Sequence, residues 1–370
     1  MPLDRFCMNE ELDERAALDI LKLLLEKCPE AVRHENDNKG FLPIHLACNR
    51  GKSPEFCRVL IEEYPGSERC ADHKGELPFH CACEYNSIAT VEYLYKLYPD
   101  AVNHATRYGK YPIHAAIVGA DHRGDPIAAV GIVKFLLDCD PNVKLQKGGG
   151  KSPLYFACRW EYNDSTIEAA LEVIKAIYDA HPEAIEDDDI APHIQRYHQQ
   201  VQAFINSELV YARQATDHHL MTTPDGSGQL PLHKALQNNV RLGSIKLLVK
   251  GNPSAVRTFD KGGVIPLHVA CQHHDSASVV QYLLGLDETA LRAVDFDNNT
   301  ALHYACRGAK YDTIAMLLER FDAKSVSKRN ANGKLPIDLL WESNVVEDIE
   351  KALNILRAYF VFSRHIPRWL

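Results

Sequence analysis

The sequence lacks any apolar run of about 18 residues, the length a membrane-spanning helix needs, so no membrane span is expected. It also lacks an apolar segment behind a basic start. Met1-Pro2-Leu3-Asp4-Arg5 opens the chain, and no signal peptide is expected there. Cys-x-x-Cys is absent, although there are eleven cysteines. They are odd in number, widely spread and mostly set in apolar runs. That pattern implies reduced, buried thiols, not a disulfide framework, and with the missing targeting signals it implies cytoplasmic or nuclear residence. An excess of basic charge is lacking too: 41 Lys and Arg face 50 Asp and Glu, a formal net charge of -9. A dedicated nucleic-acid binder, whose phosphate contacts need a surplus of cations, is therefore not expected.

What is present is length and repetition. The 370 residues exceed what one compact core usually holds, so the chain is either several domains or an extended array. Hydrophobic content of 46% and charged content of 25% are ordinary for a folded protein. LPIHLAC, from Leu42, returns as LPFHCAC from Leu77, YPIHAAI from Tyr111 and SPLYFAC from Ser152. It returns again as LPLHKAL from Leu230, IPLHVAC from Ile265, TALHYAC from Thr300 and LPIDLLW from Leu335. The slot filled first by His45 recurs at 80, 114, 155, 233, 268, 303 and 338, in steps of 35, 34, 41, 78, 35, 35 and 35. A second marker keeps the same beat: CPEAV, YPDAV, HPEAI and NPSAV end at Val32, Val102, Ile185 and Val256.

Each unit reads as turn, helix, helix. Asp72-His73-Lys74-Gly75 and Asp260-Lys261-Gly262-Gly263 are turn clusters, in which Gly supplies the positive φ of a tip. Pro43 and its counterparts suit the first helical turn, where no amide hydrogen is needed. The Ala-Cys pair keeps the first helix slim. The second helix carries a wider apolar stripe, as at Ile314, Leu317, Leu318 and Phe321, and ends before Pro29, Pro65, Pro99, Pro182 or Pro253. One such unit cannot bury its own stripe, so stability must come from stacking on neighbours.

These units resemble ankyrin repeats, whose motif is Thr-Pro-Leu-His near the start of the first helix after a Gly-bearing turn. The resemblance covers roughly residues 10–360 and implies an all-α repeat solenoid of helix-turn-helix units with short hairpin tips, interrupted by one helical insert. The family's Thr is replaced by Leu42, Leu77, Tyr111, Leu230, Ile265 and Leu335, so in those repeats the histidine is expected to bond to backbone groups of the adjoining turn. The expected organisation is a flexible start over 1–9, a first repeat block over 10–185, an insert over 186–221, a second block over 222–343, and a capping helix with an apolar tail over 344–370. In the insert, Ile190, Ile194, Tyr197, Val201 and Phe204 mark one packed seam, read as one long helix or as a degenerate repeat around Pro192.

Several motifs invite a chemical reading. Gly148-Gly149-Gly150-Lys151-Ser152 has the look of a phosphate loop, but the loop's first Gly falls on Leu145 and Pro153 follows at once. The repeat register assigns the stretch to a turn tip and a helix start. His80, Cys81 and Cys83 cannot converge on one ion from a single helix. His273-His274-Asp275 and Asp217-His218-His219 read as caps and turns, Asp225-Gly226-Ser227-Gly228 as a tip, and Glu186 to Asp189 as a solvated helix start. No catalytic residue, metal or cofactor is expected. The alternatives are a recognition subunit of a larger enzyme or channel complex, and a nucleotide- or metal-dependent enzyme.

The resemblance further implies that partners meet the turn tips and first-helix ends, which line a concave face in this family. In the first four repeats those slots hold Lys39, Phe41, Arg50, Lys74, Tyr85, Arg107, Tyr108, Lys110, Lys151, Arg159 and Trp160, with Glu76 and Glu84 the only acids. The local excess is five positive charges on a protein of net -9. Tyr, Trp and Arg are the residues most enriched at binding hot spots. The expected activity is a non-catalytic scaffold or adaptor that binds another protein through an acidic, partly apolar segment.

Overall fold

The computed structural model describes residues 2–9, 11–35, 39–122, 126–159, 166–186, 190–321 and 326–342. Among them there are nineteen α-helices and no β-strand. The chain divides into two compact units, Met1–Ser207 and Glu208–Leu370.

In the first unit α1 (Pro2–Cys7) and α2 (Glu14–Lys27) precede four helix pairs: α3 (Pro43–Asn49) with α4 (Pro54–Glu63), α5 (Pro78–Tyr85) with α6 (Ile88–Leu97), α7 (Pro112–His122) with α8 (Pro126–Cys139), and α9 (Pro153–Arg159) with α10 (Ile167–Ala180). The second unit contains the pairs α13 (Pro231–Gln237) with α14 (Leu242–Gly251), α15 (Pro266–His273) with α16 (Ala277–Leu286), and α17 (Ala301–Arg307) with α18 (Tyr311–Leu318). Its last described helix is α19 (Pro336–Glu342).

Local chemistry sets each boundary. Four first helices, α3, α5, α13 and α15, begin on Pro at the first position with an extended Leu or Ile ahead of it, whereas α17 begins on Ala301 behind Thr300. Second helices start on hydroxyl caps where the sequence provides one: Ser53 Oγ accepts from Phe56 N at 3.2 Å, and Ser87 Oγ from Thr90 N. Pro29, Pro99, Pro182 and Pro253 then open short 3-10 turns, which end the second helices as expected. The Ala-Cys pairs Ala47-Cys48, Ala82-Cys83, Ala157-Cys158, Ala270-Cys271 and Ala305-Cys306 are all buried. Successive first helices pack on one another, α3 on α5 on α7, and α13 on α15 on α17 on α19. All eleven cysteines are free thiols.

The apolar stripe of α18 is buried at Ile314, Leu317, Leu318 and, just beyond the helix, Phe321. Burying each such side chain is worth about 1.5–3 kcal/mol, but ordering each residue's backbone costs about 1–2 kcal/mol. An isolated helix pair therefore has little net stability, and the neighbouring pairs supply the missing burial.

His45, His233, His268 and His303 tie their own helix starts to the next repeat, while His80 and His114 bond only at Nδ1, accepting from Leu77 N and Tyr111 N. His45 Nδ1 accepts from Leu42 N at 3.2 Å, and its Nε2 lies 3.1 Å from Glu76 O in the following tip. His233 and His268 repeat this with Val264 O and Ala293 O, each at 3.3 Å. A ring nitrogen that accepts at Nδ1 carries its proton at Nε2, so the second bond is a donation to the carbonyl. The expectation that histidine bonds to backbone of the adjoining turn where Thr is missing is met for His45, His233 and His268 and not for His80 and His114. Thr300, which keeps the hydroxyl, places Oγ1 2.8 Å from His303 Nδ1.

The tips form a second ladder. Asp72, Asp225, Asp260, Asp295 and Asn330 each accept two backbone N–H bonds at one side-chain oxygen, which closes the turn. The next residue reaches back: His73 N donates to Lys39 O, Arg107 N to Lys74 O, Lys261 N to Ser227 O, Phe296 N to Gly262 O and Ala331 N to Asp297 O. Its side chain then covers the glycine of the preceding tip. A Cβ on Gly40 would meet the His73 ring at 2.4 Å, and one on Gly263 the Phe296 ring at 2.7 Å. Asn298 takes the glycine's place with φ 59°, and there the covering residue is the small Ala331.

Three expectations change. The start of the chain, expected to be flexible over 1–9, is helical over Pro2–Cys7 because Leu3 and Cys7 have a core to enter. The insert is not one long helix; it holds a 3-10 turn and two helices. Pro192 opens a 3-10 turn, Ala191–Arg196, where a first helix would stand. α11 (Gln199–Thr216) then occupies the second-helix place, and α12 (His218–Thr222), capped by Asp217, follows. Of the predicted seam, Ile190, Tyr197 and Val201 are buried, but within α11 the buried line continues through Ile205, Leu209 and Ala212. The capping helix and tail expected over 344–370 lie outside the described residues, as do Asn38 and Asp187 to Asp189.

Candidate functional site

The tips and first-helix ends of the first three repeats enclose a groove of about 540 Å³ in the first unit. It is lined by Lys39, Phe41, Lys74, Glu76 and Lys110 from the tips, by Leu46 and Asn49 of α3 with Arg50 just beyond it, by Glu84 and Tyr85 of α5, and by Met8. Lys39, Lys74 and Lys110 are exposed, and none makes an ion pair with another described residue.

Six of the eleven residues expected to contact a partner line this groove: Lys39, Phe41, Arg50, Lys74, Tyr85 and Lys110. They differ in what they offer. Phe41 is only 9% exposed, stacks on His45 with ring centroids 5.7 Å apart, and lies 5.5 Å below Lys39 Nζ. It is a buried residue of the tip, not a surface anchor. Tyr85 is exposed, and burial of its hydroxyl end, together with Glu84, pushes its phenol pKa up. Burial likewise raises the Glu76 carboxyl, helped by Asp72 and opposed by Lys74 and Lys110.

The other five residues lie elsewhere. Arg107 and Tyr108 sit exposed on the third tip, Tyr108 at 70%, outside the groove lining. Lys151 and Arg159 turn inward on their own repeat. Lys151 Nζ lies 5.1 Å above the Tyr155 ring, and Arg159 donates to the Tyr155 hydroxyl at 3.1 Å. Trp160 lies outside the described residues. Met8 and Leu46 were missed by the sequence reading. Met8 depends on α1 folding, which no repeat marker signals. Leu46 lies in the motif itself, between His45 and Ala47, a position that reads as core.

The motifs with a chemical appearance are absorbed by the fold. Gly148 and Lys151 pair as an isolated backbone bridge, and Gly148 lies so close to the His114 ring that a Cβ there would meet Nε2 at 2.9 Å. Ser152 Oγ accepts from Tyr155 N at 3.2 Å and starts a helix of seven residues. His274 is buried, with Nε2 2.8 Å from Val240 O and Nδ1 accepting from Ser276 N. Asp275 pairs with Lys310. Among the described residues no group of three or more His, Cys, Asp or Glu is placed to hold a metal ion. Nor is any helix long and apolar enough to cross a membrane.

The family model described as ankyrin repeats in three copies matches residues 13–105, 195–292 and 232–330. No curated protein matches the chain. The unmatched stretch, 106–194, contains the 41-residue step and the start of the insert, where the spacing departs most from the repeat period. Ankyrin repeats are, as a family, protein–protein interaction modules and are typically non-catalytic. With eight copies of one helix-start motif, an interlocked ladder of tips and more than half the length matched, the chain belongs to the ankyrin-repeat family.

Proposed function

We propose that the protein is a non-catalytic scaffold or adaptor that captures an acidic, partly apolar segment of another protein in the groove of the first three repeats. The observation that carries this reading is that Lys39, Lys74 and Lys110, one cation from each successive tip, line the same groove as Tyr85 and Met8. The apolar side chains provide burial, and the cations steer an acidic partner and select against basic ones. Glu76 and Glu84 in the same groove, with the net charge of -9, disfavour a polyanion such as nucleic acid. Residence in the cytoplasm or nucleus fits the eleven free thiols.

The test is a panel of acidic peptides, each with one or two aromatic or aliphatic residues, titrated against the full chain by fluorescence anisotropy. The triple variant Lys39→Glu, Lys74→Glu, Lys110→Glu is expected to lose binding while its circular dichroism and melting temperature stay near those of the parent. Undiminished binding by the variant would place the partner elsewhere.

A further inference from the structure

We infer that the second unit holds a separate docking slot, on the open face of α13, for a short uncharged helix of another protein. The slot is independent of the lysine groove. Its starting point is the way one first helix seats on the next. α15 packs on α17, whose residues Ala301, Tyr304, Ala305 and Gly308 are spaced i, i+3, i+4 and i+7, one helical face. The His268 ring stacks on Tyr304 with centroids 4.9 Å apart, and a Cβ on Gly308 would strike the Gln272 carbonyl. Ala301, Tyr304 and Ala305 are buried.

In α13 the same slots hold Pro231, Lys234, Ala235 and, just beyond the helix, Asn238. Pro231 is only half-buried, and Lys234 and Asn238 are exposed. The corresponding prolines of α3, α5, α7, α9, α15 and α19 are all buried, as are Leu46, Cys81 and Val269 in the slot of Lys234. No described first helix covers this face of α13. The second-helix layer continues where the first-helix layer stops. α11 lies against α14, with the Ala215 carbonyl close to Gly251, and Asn252 Nδ2 donates to Met221 O of α12 at 2.8 Å.

A groove of about 490 Å³ marks the gap. It is lined by the four face residues of α13, by Tyr211 and Gln214 of α11 and by Leu220 of α12. The next first helix and the second helix of the same step are the elements that hold a first helix elsewhere, as α17 and α16 hold α15. That equivalence sets the shape of the occupant. The open face spans seven residues' rise, about 10.5 Å or two turns, the size of the chain's own first helices. The helices around it present side chains and no free backbone groups. A helix, which satisfies its own backbone, fits there better than an extended segment.

Charge sets the chemistry. Lys234 and Asp225 are the cation and the carboxylate of the lining, and they pair at 2.9 Å. The slot has no charge left to meet an ionised side chain, whose burial would then cost several kcal/mol. Leu220, 49% exposed, and Tyr211 offer apolar surface, and Asn238 offers an amide where α17 has Gly308. The inserted face therefore carries Ala or Leu with an uncharged polar residue at one end. With the lysine groove in the first unit, the chain would hold two unlike partners, one acidic and one neutral.

The experiment uses the full chain and two displayed libraries of about eleven residues. One is built on Ala and Gln to favour helix and randomised at i, i+3, i+4 and i+7. The other carries a central Pro, which costs a helix about 3 kcal/mol. Both are selected on the parent and counter-selected on the double variant Leu220→Asp, Asn238→Arg, changed at exposed side chains. The helix library is expected to yield peptides with uncharged residues at the randomised positions. By fluorescence anisotropy they are expected to bind the parent about tenfold more tightly than the double variant, whose melting temperature stays at the parent's. Their binding to the variant Lys39→Glu, Lys74→Glu, Lys110→Glu is expected to be undiminished. Binders from the Pro library alone would make the occupant extended, and charged residues at the randomised positions would contradict its chemistry. Peptides that do not distinguish the parent from the double variant would remove the slot. Each of these outcomes overturns the inference. Loss of binding in the triple variant would place the peptides in the lysine groove and overturn it too, with the reading of that groove untouched.

Discussion

Mild acid is expected to destabilise this protein well before its carboxylates titrate, and the motif histidines are the reason. His45, His114 and His268 are each held near a pKa of about 4, and burial is the largest cause in every case. For His45 the bond to Glu76 O and the nearby Asp72 pull the other way without prevailing. His233 and His303 are lowered for the same reason. In the unfolded chain an imidazole takes up its proton near pH 6.5. Between about 6.5 and 4 the unfolded state therefore binds protons that the folded state refuses. Stability is complete above the unfolded value and is lost as the pH falls through this window. Each histidine withdraws up to about 1.4 kcal/mol per pH unit there, or roughly 3 kcal/mol over the full shift of His268. Since a domain is stable by only about 5–15 kcal/mol, two such groups in the first unit, His45 and His114, withdraw a large part of its stability. Urea midpoints followed by circular dichroism at pH of about 7.5, 6 and 5 read the effect directly. His268→Gln, which keeps an acceptor and a donor but no titration, is expected to flatten the slope by about 1.4 kcal/mol per pH unit. A midpoint that does not move between pH 7.5 and about 5 would refute the buried, neutral ladder.

Two further outcomes test the packing. Gly308→Ala places a Cβ about where the Gln272 carbonyl oxygen stands, at 2.1 Å, so the end of α17 must draw back from α15. The clash outweighs the gain in helix propensity of about 1 kcal/mol, and a net loss of about 1–3 kcal/mol in urea denaturation is expected; a variant as stable as the parent would show that the helices are not so close. Tyr304→Phe removes the hydroxyl that donates to Asp295 Oδ2 at 2.7 Å. Burial raises the Asp295 carboxyl, but bonds from Asn299 and Tyr304 bring it below the usual range, so the variant is expected to lose about 1–2 kcal/mol at neutral pH and less of it below pH of about 4, again read as a urea midpoint.

Much of this architecture was legible in the sequence because the informative residues act locally. Pro at a helix start, Gly at a tip and Ala-Cys on a slim helix each have one physical reason to recur, and their spacing located the helix pairs. The groove was only half legible. Tip slots identified Lys39, Lys74 and Lys110, but whether an aromatic faces solvent depends on what lies beside it. Phe41 is held down by His45 and Lys39, and Tyr155 draws Lys151 and Arg159 onto itself. The bonds from one tip to the next run through backbone atoms and leave no residue signature beyond the Asp or Asn and the glycine that shape each tip. α1 carries no repeat marker, so its burial, and with it Met8 at the end of the groove, was out of reach.

The clasp between tips makes the modules unequal. Phe296 fits over Gly263 because that position has no side chain, and Asn298, which has one, is followed by the small Ala331. A unit copied or shuffled within the gene would carry its covering side chain to a new neighbour. Placed after Asn298, a unit led by Phe or His would collide at its tip. The array can therefore grow by exchange only where a glycine waits at the junction, and its order is written into the loops as firmly as into the helices.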